Sequence, residues 1–262
     1  MSEKATPRVW LVGAGPGRAD LLTLRAARLL AQADIVFHDA LVQQEILALA
    51  PQAELVSVGK RCGRHSTAQR FINKRLVDAA RSHRCVVRLK GGDPMLFGRA
   101  QEEIDALHAA GIAVEVVPGV TAALASSAAL GVSLTRRGTS RNVVFATPRV
   151  GEDQQPGDWA ASVVAADTAV IYMGAGEADA ITATLVARGL APSTPVALVE
   201  SASLAGERVA AGCLDQLPAL AQRVGAGPAT ILLGEVFAAT AALHAQERGD
   251  RLVQLSKATL AR

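Results

Sequence analysis

Residues 86–103, VVRLKGGDPMLFGRAQEE, pass from strand to helix within a few positions, and this transition constrains the fold more than any other stretch. Val86, Val87 and Leu89 form an apolar, β-prone run too short for a helix. Gly91 and Gly92 break the run, and a helix is expected from about Phe97. Adjacent glycines permit φ > 0 and let a ligand approach bare backbone. Pro94 keeps Asp93 in an extended conformation. The junction of a strand end with a helix start is where open α/β sheets bind ligands. Arg99 and Glu102 lie three apart, on one face of the new helix.

The same alternation runs along the chain. Strands are expected at 8–12, 35–39, 54–58, 85–90 and 113–117, separated by helices at 21–32, 41–50, 68–82, 98–110 and 121–130. Around VSLTRRGTSR (132–141) the apolar pattern lapses and arginines cluster. A second set follows, with strands at 142–147, 169–174, 196–200 and 231–233 and helices at 159–166, 177–188 and 215–224. This pattern predicts α/β architecture with mostly parallel sheets. It divides the chain into an N-terminal lobe (1–134), a C-terminal lobe (135–240) and a loosely attached charged tail (241–262). Asp39 stands at a strand end, where by itself it would cap helix 41–50, and Thr67 is placed to cap helix 68–82. Gly13-Ala14-Gly15-Pro16-Gly17 follows the first strand, but Arg18 replaces the third glycine of a dinucleotide fingerprint and Pro16 lacks an N–H. A nicotinamide dinucleotide site is therefore excluded.

Charge and composition narrow the class of partner. Residues 59–90 carry ten Lys or Arg against the single acid Asp78, and 136–149 add Arg136, Arg137, Arg141 and Arg149 without an acid. Such patches attract anions. Aromatic residues are only 3% of the chain, too few for base stacking, so no nucleic-acid partner is expected. Cys62, Cys85 and Cys213 are far apart and odd in number, which suits a reducing cytoplasm. His38 and His65 have no metal-ligand spacing, and no metal is expected. No stretch is long and apolar enough to suggest a membrane span or a signal peptide.

In order along the chain stand GAGPG, HDALV, VGKRCGRH, VVRLKGGDPMLFGR with EE behind it, VVPGVTAA, LTRRG, YMG and PVALVE. The set resembles the tetrapyrrole methylases, or class III methyltransferases, over roughly residues 8–237. The resemblance implies two α/β lobes with S-adenosylmethionine in a cleft between them, and a homodimer. It implies cofactor contacts at Pro16, Gly91, Gly92, Asp93, Leu96, Thr121, Ala122, Met173 and Ala202, with Pro228 and Ala229 nearby. It makes Asp39 the candidate proton acceptor and Lys60 the candidate proton donor; Arg99 with Glu102 is a further candidate catalytic pair, in which Glu102 orients Arg99 or takes a pyrrole N–H. Arg61, Arg64, His65, Arg136, Arg137 and Arg149 form the pool of contacts to substrate carboxylates. The implied reaction is methylation of uroporphyrinogen III at C2 and then C7, giving precorrin-2 by way of precorrin-1, with S-adenosylhomocysteine released. Alternatives are a methylase of a later precorrin and a non-catalytic binder of the cofactor or the tetrapyrrole. The family's GPGD, LTHRG and TGH stand here as GPGR, LTRRG and Thr147-Pro148-Arg149, and Ala40 replaces its usual arginine. Fused members of the family carry a dehydrogenase–chelatase module before this segment; the chain starts at its first strand, so neither activity is expected.

Overall fold

A computed structural model of the chain describes residues 9–59, 65–150 and 157–246. The chain divides into two compact units, Met1–Ala122 and Ala123–Arg262. In the first, β1 (Val9–Gly13), β2 (Ile35–His38), β3 (Glu54–Ser57), β4 (Val86–Lys90) and β5 (Val114–Val117) form one sheet in the order β3-β2-β4-β1-β5. Every pairing in it is parallel. Alternation along the central strands sends side chains to two separate cores. Val9, Leu11, Ile35, Phe37 and Val86 pack under α3 (His65–Ser82) and α4 (Ala100–Ala109). Val12, Val36, Val87 and Leu89 pack under α1 (Leu24–Ala31) and α2 (Gln44–Leu47). Thr23 caps α1 by accepting the Ala26 N–H at 3.1 Å, and Gly111, at φ +71°, follows the end of α4.

The second unit contains β6 (Val143–Ala146), β7 (Thr168–Tyr172), β8 (Pro195–Glu200), β9 (Arg208–Cys213) and β10 (Ala229–Gly234), ordered β6-β7-β10-β8-β9. Here the expectation of a mostly parallel sheet needs correction. Only β6 and β7 run parallel, whereas β7–β10, β10–β8 and β8–β9 are antiparallel. The link from β8 to β9 is too short for a crossover, so these strands can pair only as a hairpin. Helices α6 (Trp159–Val164), α7 (Ala178–Ala187) and α8 (Leu217–Ala221) cover one face, and α5 (Ala122–Leu130) covers the other.

Four further expectations change as well. The helix expected at 41–50 shrinks to α2, which starts after Gln43, so Asp39 does not cap it. Helix α3 begins at His65, which places Thr67 inside it. Residues 238–246 are helical and Ala241 is buried, so the first part of the expected tail belongs to the unit; 247–262 lie outside the described residues. The two units part at Ala122 rather than at 134, because Ala123, Ala125 and Leu134 are buried in the second core beside Val170, Val199 and Phe237. Among the described residues no helix is long and apolar enough to cross a membrane.

Candidate active site

The first unit gathers the residues expected at the site at the carboxyl ends of its parallel strands, where this topology places loops. Three turns meet there backbone to backbone. Ala14 N donates to Lys90 O at 2.7 Å, while Gly15 and Gly92 exchange both main-chain hydrogen bonds at 3.2 and 2.7 Å. A Cβ placed on Gly119 would lie 2.3 Å from Gly92 O, and one on Gly13 would lie 2.6 Å from Gly119 Cα. Only glycine can occupy these two positions. Asp93 locks the arrangement. One carboxylate oxygen accepts the Met95 N–H at 2.8 Å and the other accepts the Gly119 N–H at 2.9 Å. Its role in the structure is therefore to join the β4 loop to the β5 loop. Pro16, Gly91, Gly92, Leu96, Thr121 and Ala122 are half-buried on these same turns.

Below the turns lies a buried network of charges. Arg88 and Lys90 are both 3% exposed, on the face of β4 that lies against α3 and α4, and Glu103 of α4 is fully buried between them. Glu103 accepts Arg88 Nε at 3.1 Å, Gln69 Nε2 at 3.2 Å and Lys90 Nζ at 3.0 and 3.1 Å. The Arg88 Nη1 donates to the carbonyls of Phe37 and Leu89, and Nη2 donates to Asp39 Oδ1 at 2.5 Å. Burial works against the Arg88 charge, but Glu103 and Asp39 outweigh it and its pKa is raised. Burial, with the nearby charge of Arg88 adding to it, lowers the pKa of Lys90 against the pull of Glu103 and Asp39. These two cations thus face carboxylates inside the protein, which corrects their inclusion in the anion-attracting basic patch.

Arg99 and Glu102 do pair, Nε to Oε1 at 2.7 Å and Nη2 to Oε2 at 2.8 Å, on the exposed start of α4. Lys60, Arg61 and Arg64 lie outside the described residues; His65 opens α3, and its side chain is likewise outside them.

In the second unit the antiparallel register brings the end of β7, the end of β8 and the start of β10 to one edge. Thr230 pairs with Tyr172, and Ala229 with Glu200. This edge collects Met173, Ala202, Pro228 and Ala229. Met173, at φ +57°, leaves its side chain 42% exposed, and Ala202 is buried. Ser201 N donates to Pro228 O at 2.8 Å, and the Glu200 carboxylate accepts the N–H groups of Gly225 and Gly227, each at 2.6 Å. Arg149 follows the end of β6 and is exposed. Arg136 and Arg137 are not gathered here. Their turn is tied through Ser140 to Thr168 at the start of β7, on the opposite edge of the sheet.

The Glu200 carboxylate is held below its ordinary pKa of 4.5, first by the Gly225 N–H against the cost of burial, then by Gly227 and the charge of Arg208. A carboxylate with a depressed folded-state value stabilises the fold above its unfolded pKa and loses that contribution as pH falls through the folded value. Glu200→Gln should therefore melt well below the parent protein at pH 7. The difference should shrink as the buffer is taken below pH 4.5. A gap between the two melting curves that does not change with pH would remove this role.

Sequence reasoning passed over Gln69, Arg88, Lys90, Glu103 and Glu200. A signal was present: two cations two residues apart in an otherwise apolar strand share one face, and a buried face with charge on it demands a partner.

Comparison with known proteins places this geometry in a family. The model of the tetrapyrrole (corrin/porphyrin) methylases matches residues 8–218, and the chain belongs to that family. It is 46% identical over 230 residues to the uroporphyrinogen-III C-methyltransferase of Pseudomonas aeruginosa, covering 87% of this chain and 94% of that one. It is 47% identical over 229 residues to the siroheme synthase of Tolumonas auensis, covering 87% of this chain but 49% of the relative. The chain thus spans about half the length of the siroheme synthases it matches. Among solved structures, the uroporphyrin-III C-methyltransferase of Thermus thermophilus complexed with S-adenosylhomocysteine superposes with a TM-score of 0.76. It is 40% identical and covers 88% of this chain and 99% of that one.

Proposed function

We propose that the chain transfers methyl groups from S-adenosylmethionine to C2 and C7 of uroporphyrinogen III, giving precorrin-2 by way of precorrin-1. The observation that carries this reading is the match to the Pseudomonas aeruginosa enzyme, which extends over 94% of that enzyme's length. The site fits the cofactor. On the first unit, turns of bare backbone with half-buried small residues suit a nucleoside that needs an apolar slot edged by main-chain polar groups. On the first unit the assigned binding residues are Pro16, Gly91, Gly92, Leu96, Thr121 and Ala122, with Asp93 holding their turns together; on the second they are Met173, Ala202, Pro228 and Ala229.

Bound S-adenosylmethionine supplies a methyl group that is already electrophilic on its sulfonium sulfur. Each transfer forms one carbon–carbon bond to an electron-rich ring carbon and breaks one carbon–sulfur bond. The methylated macrocycle then loses one proton. The protein has to hold the two reactants in line, exclude water and take up that proton. Asp39 is assigned as the acceptor. Its carboxylate is 32% exposed and is held through Oδ1 by Arg88 Nη2. Lys60 is assigned as donor. Arg99, oriented by Glu102, and Arg149 are assigned to the carboxylates of the macrocycle, whose anionic rim matches guanidinium forks. We further propose a cytoplasmic homodimer.

Anaerobic incubation with S-adenosylmethionine and uroporphyrinogen III, followed by mass spectrometry of the tetrapyrrole, should show a gain of two methyl groups that depends on the cofactor. Unmodified tetrapyrrole, with S-adenosylhomocysteine still bound in calorimetry, would sink the reading and favour a later precorrin or a non-catalytic binder.

A further inference from the structure

The four charges at the centre of the first unit form a chain that runs from the interior to the surface. Glu103 is completely enclosed, Arg88 and Lys90 are almost so, and Asp39 alone reaches solvent. Formal charge balances over the four, with two cations and two carboxylates. Each end of the Arg88 guanidinium is held separately. Nε is fixed by Glu103 and Nη1 by the carbonyls of Phe37 and Leu89, which sets the plane of the guanidinium, and Nη2 donates to Asp39 Oδ1. Lys90 and Gln69 in turn fix the Glu103 carboxylate. A planar guanidinium anchored at three points sets both the distance and the orientation of the carboxylate it meets. Among the described residues the Asp39 side chain is bound by Arg88, whereas its main-chain carbonyl also meets His38 Nδ1 at 3.2 Å. Asp39 follows the last residue of β2, and its backbone carbonyl accepts the Val42 N–H.

We infer that Arg88 is the positioning residue for Asp39, and that Glu103, through Arg88, determines where the exposed carboxylate oxygen points. The inference rests on the reading of Asp39 as proton acceptor. Arg88 touches neither substrate nor cofactor in this role; it acts by restricting Asp39 to one orientation. A carboxylate that swings freely spends little time in the geometry that proton transfer needs, and a misplacement of about 1 Å costs on the order of a hundredfold in rate. A buried network in which Arg88 and Lys90 share the Glu103 carboxylate is suited to hold that position, since breaking one contact leaves a charge in the interior.

The test is a kinetic cycle. Arg88→Lys keeps the positive charge and loses the fork, while Arg88→Met removes both. The two variants, together with Asp39→Ala and the double variants, would be assayed for turnover of uroporphyrinogen III and, separately, for S-adenosylhomocysteine affinity by calorimetry. Turnover number is expected to fall about a hundredfold in Arg88→Met and about tenfold in Arg88→Lys. KM and S-adenosylhomocysteine affinity are expected to stay within about threefold of the parent protein. In the Asp39→Ala background neither Arg88 change is expected to lower turnover further, because residues that act as a unit lose their effect together. Should Arg88→Met not fold, Glu103→Gln serves in its place. That change keeps the size of the side chain and loosens the anchor, so turnover should fall at unchanged KM. Equal losses in the presence and absence of Asp39 would overturn the inference and leave Arg88 as scaffold, as would a loss of S-adenosylhomocysteine affinity that tracks the loss of turnover. A parent protein that does not methylate the tetrapyrrole would overturn the proposed activity, and the positioning role would fall with it.

Discussion

Glu103→Ala should destabilise the first unit by about 3–5 kcal/mol, the range for removing one partner of a buried ion pair. The side chain is fully buried and receives hydrogen bonds from Arg88, Lys90 and Gln69. Truncation leaves two cations in the interior with Asp39 as their one remaining counter-charge in the network. Lys90 is the weak point, because burial and the neighbouring guanidinium already lower its pKa. Glu102, the next residue, provides the control. Its ion pair with Arg99 is roughly half exposed, and such pairs contribute only about 0–1 kcal/mol. Urea unfolding of Glu103→Ala and Glu102→Ala side by side would measure the contrast. Closely similar midpoints for the two variants would show that the buried network contributes little to stability.

The second large effect is expected at Gly119. An alanine Cβ there would lie 2.3 Å from the Gly92 carbonyl oxygen and 2.9 Å from Gly13 Cα. Both obstacles are backbone, so no side-chain rotation relieves them. The chain must move by about 1 Å or more at the point where three turns and the Asp93 clamp converge. Forced overpacking of this kind costs typically about 1–3 kcal/mol. The binding consequence should be larger than the stability one. The displaced backbone belongs to the turns assigned to the cofactor, and S-adenosylhomocysteine affinity should fall at least about tenfold, or 1.4 kcal/mol. Gly111→Ala separates the causes. Gly111 has φ +71° but nothing within 4 Å of a Cβ, so the change strains the end of α4 without touching the turns. Its melting temperature should fall while affinity holds. Parent-like affinity in Gly119→Ala would detach these turns from the cofactor.

Much of the architecture was legible in the residues because its causes are local. Apolar runs such as VVRLK, punctuated by Gly-Gly-Asp-Pro or Pro-Gly, fix a strand end wherever they fall, since few backbones can follow that sequence. Arg99 and Glu102 could be paired in advance because they lie three residues apart at the start of a helix, although Arg99 itself precedes α4 at φ +54°. The parallel direction of the first sheet followed from its strands being separated by whole helices. The same rule misled in the second unit. There β8 is buried along its whole length, and a run buried on both faces reads alike whichever way its neighbours point.

The sequence by itself determined the local conformations, the order of elements and, through an ordered set of motifs, the family. Those depend on neighbours a few residues apart, which a linear chain displays. What only the tertiary structure decided is which charge meets which. Glu102 and Glu103 are adjacent and chemically alike, yet one pairs with Arg99 at the surface and the other anchors Arg88 and Lys90 in the core. Asp39 could be read as a helix cap until β4 placed Arg88 against it, from 49 residues away. Asp93, expected at the cofactor, spends both carboxylate oxygens on the main chain of its own and a neighbouring turn. Burial and pairing over such separations arise when the sheet closes, and no periodicity in the sequence encodes them.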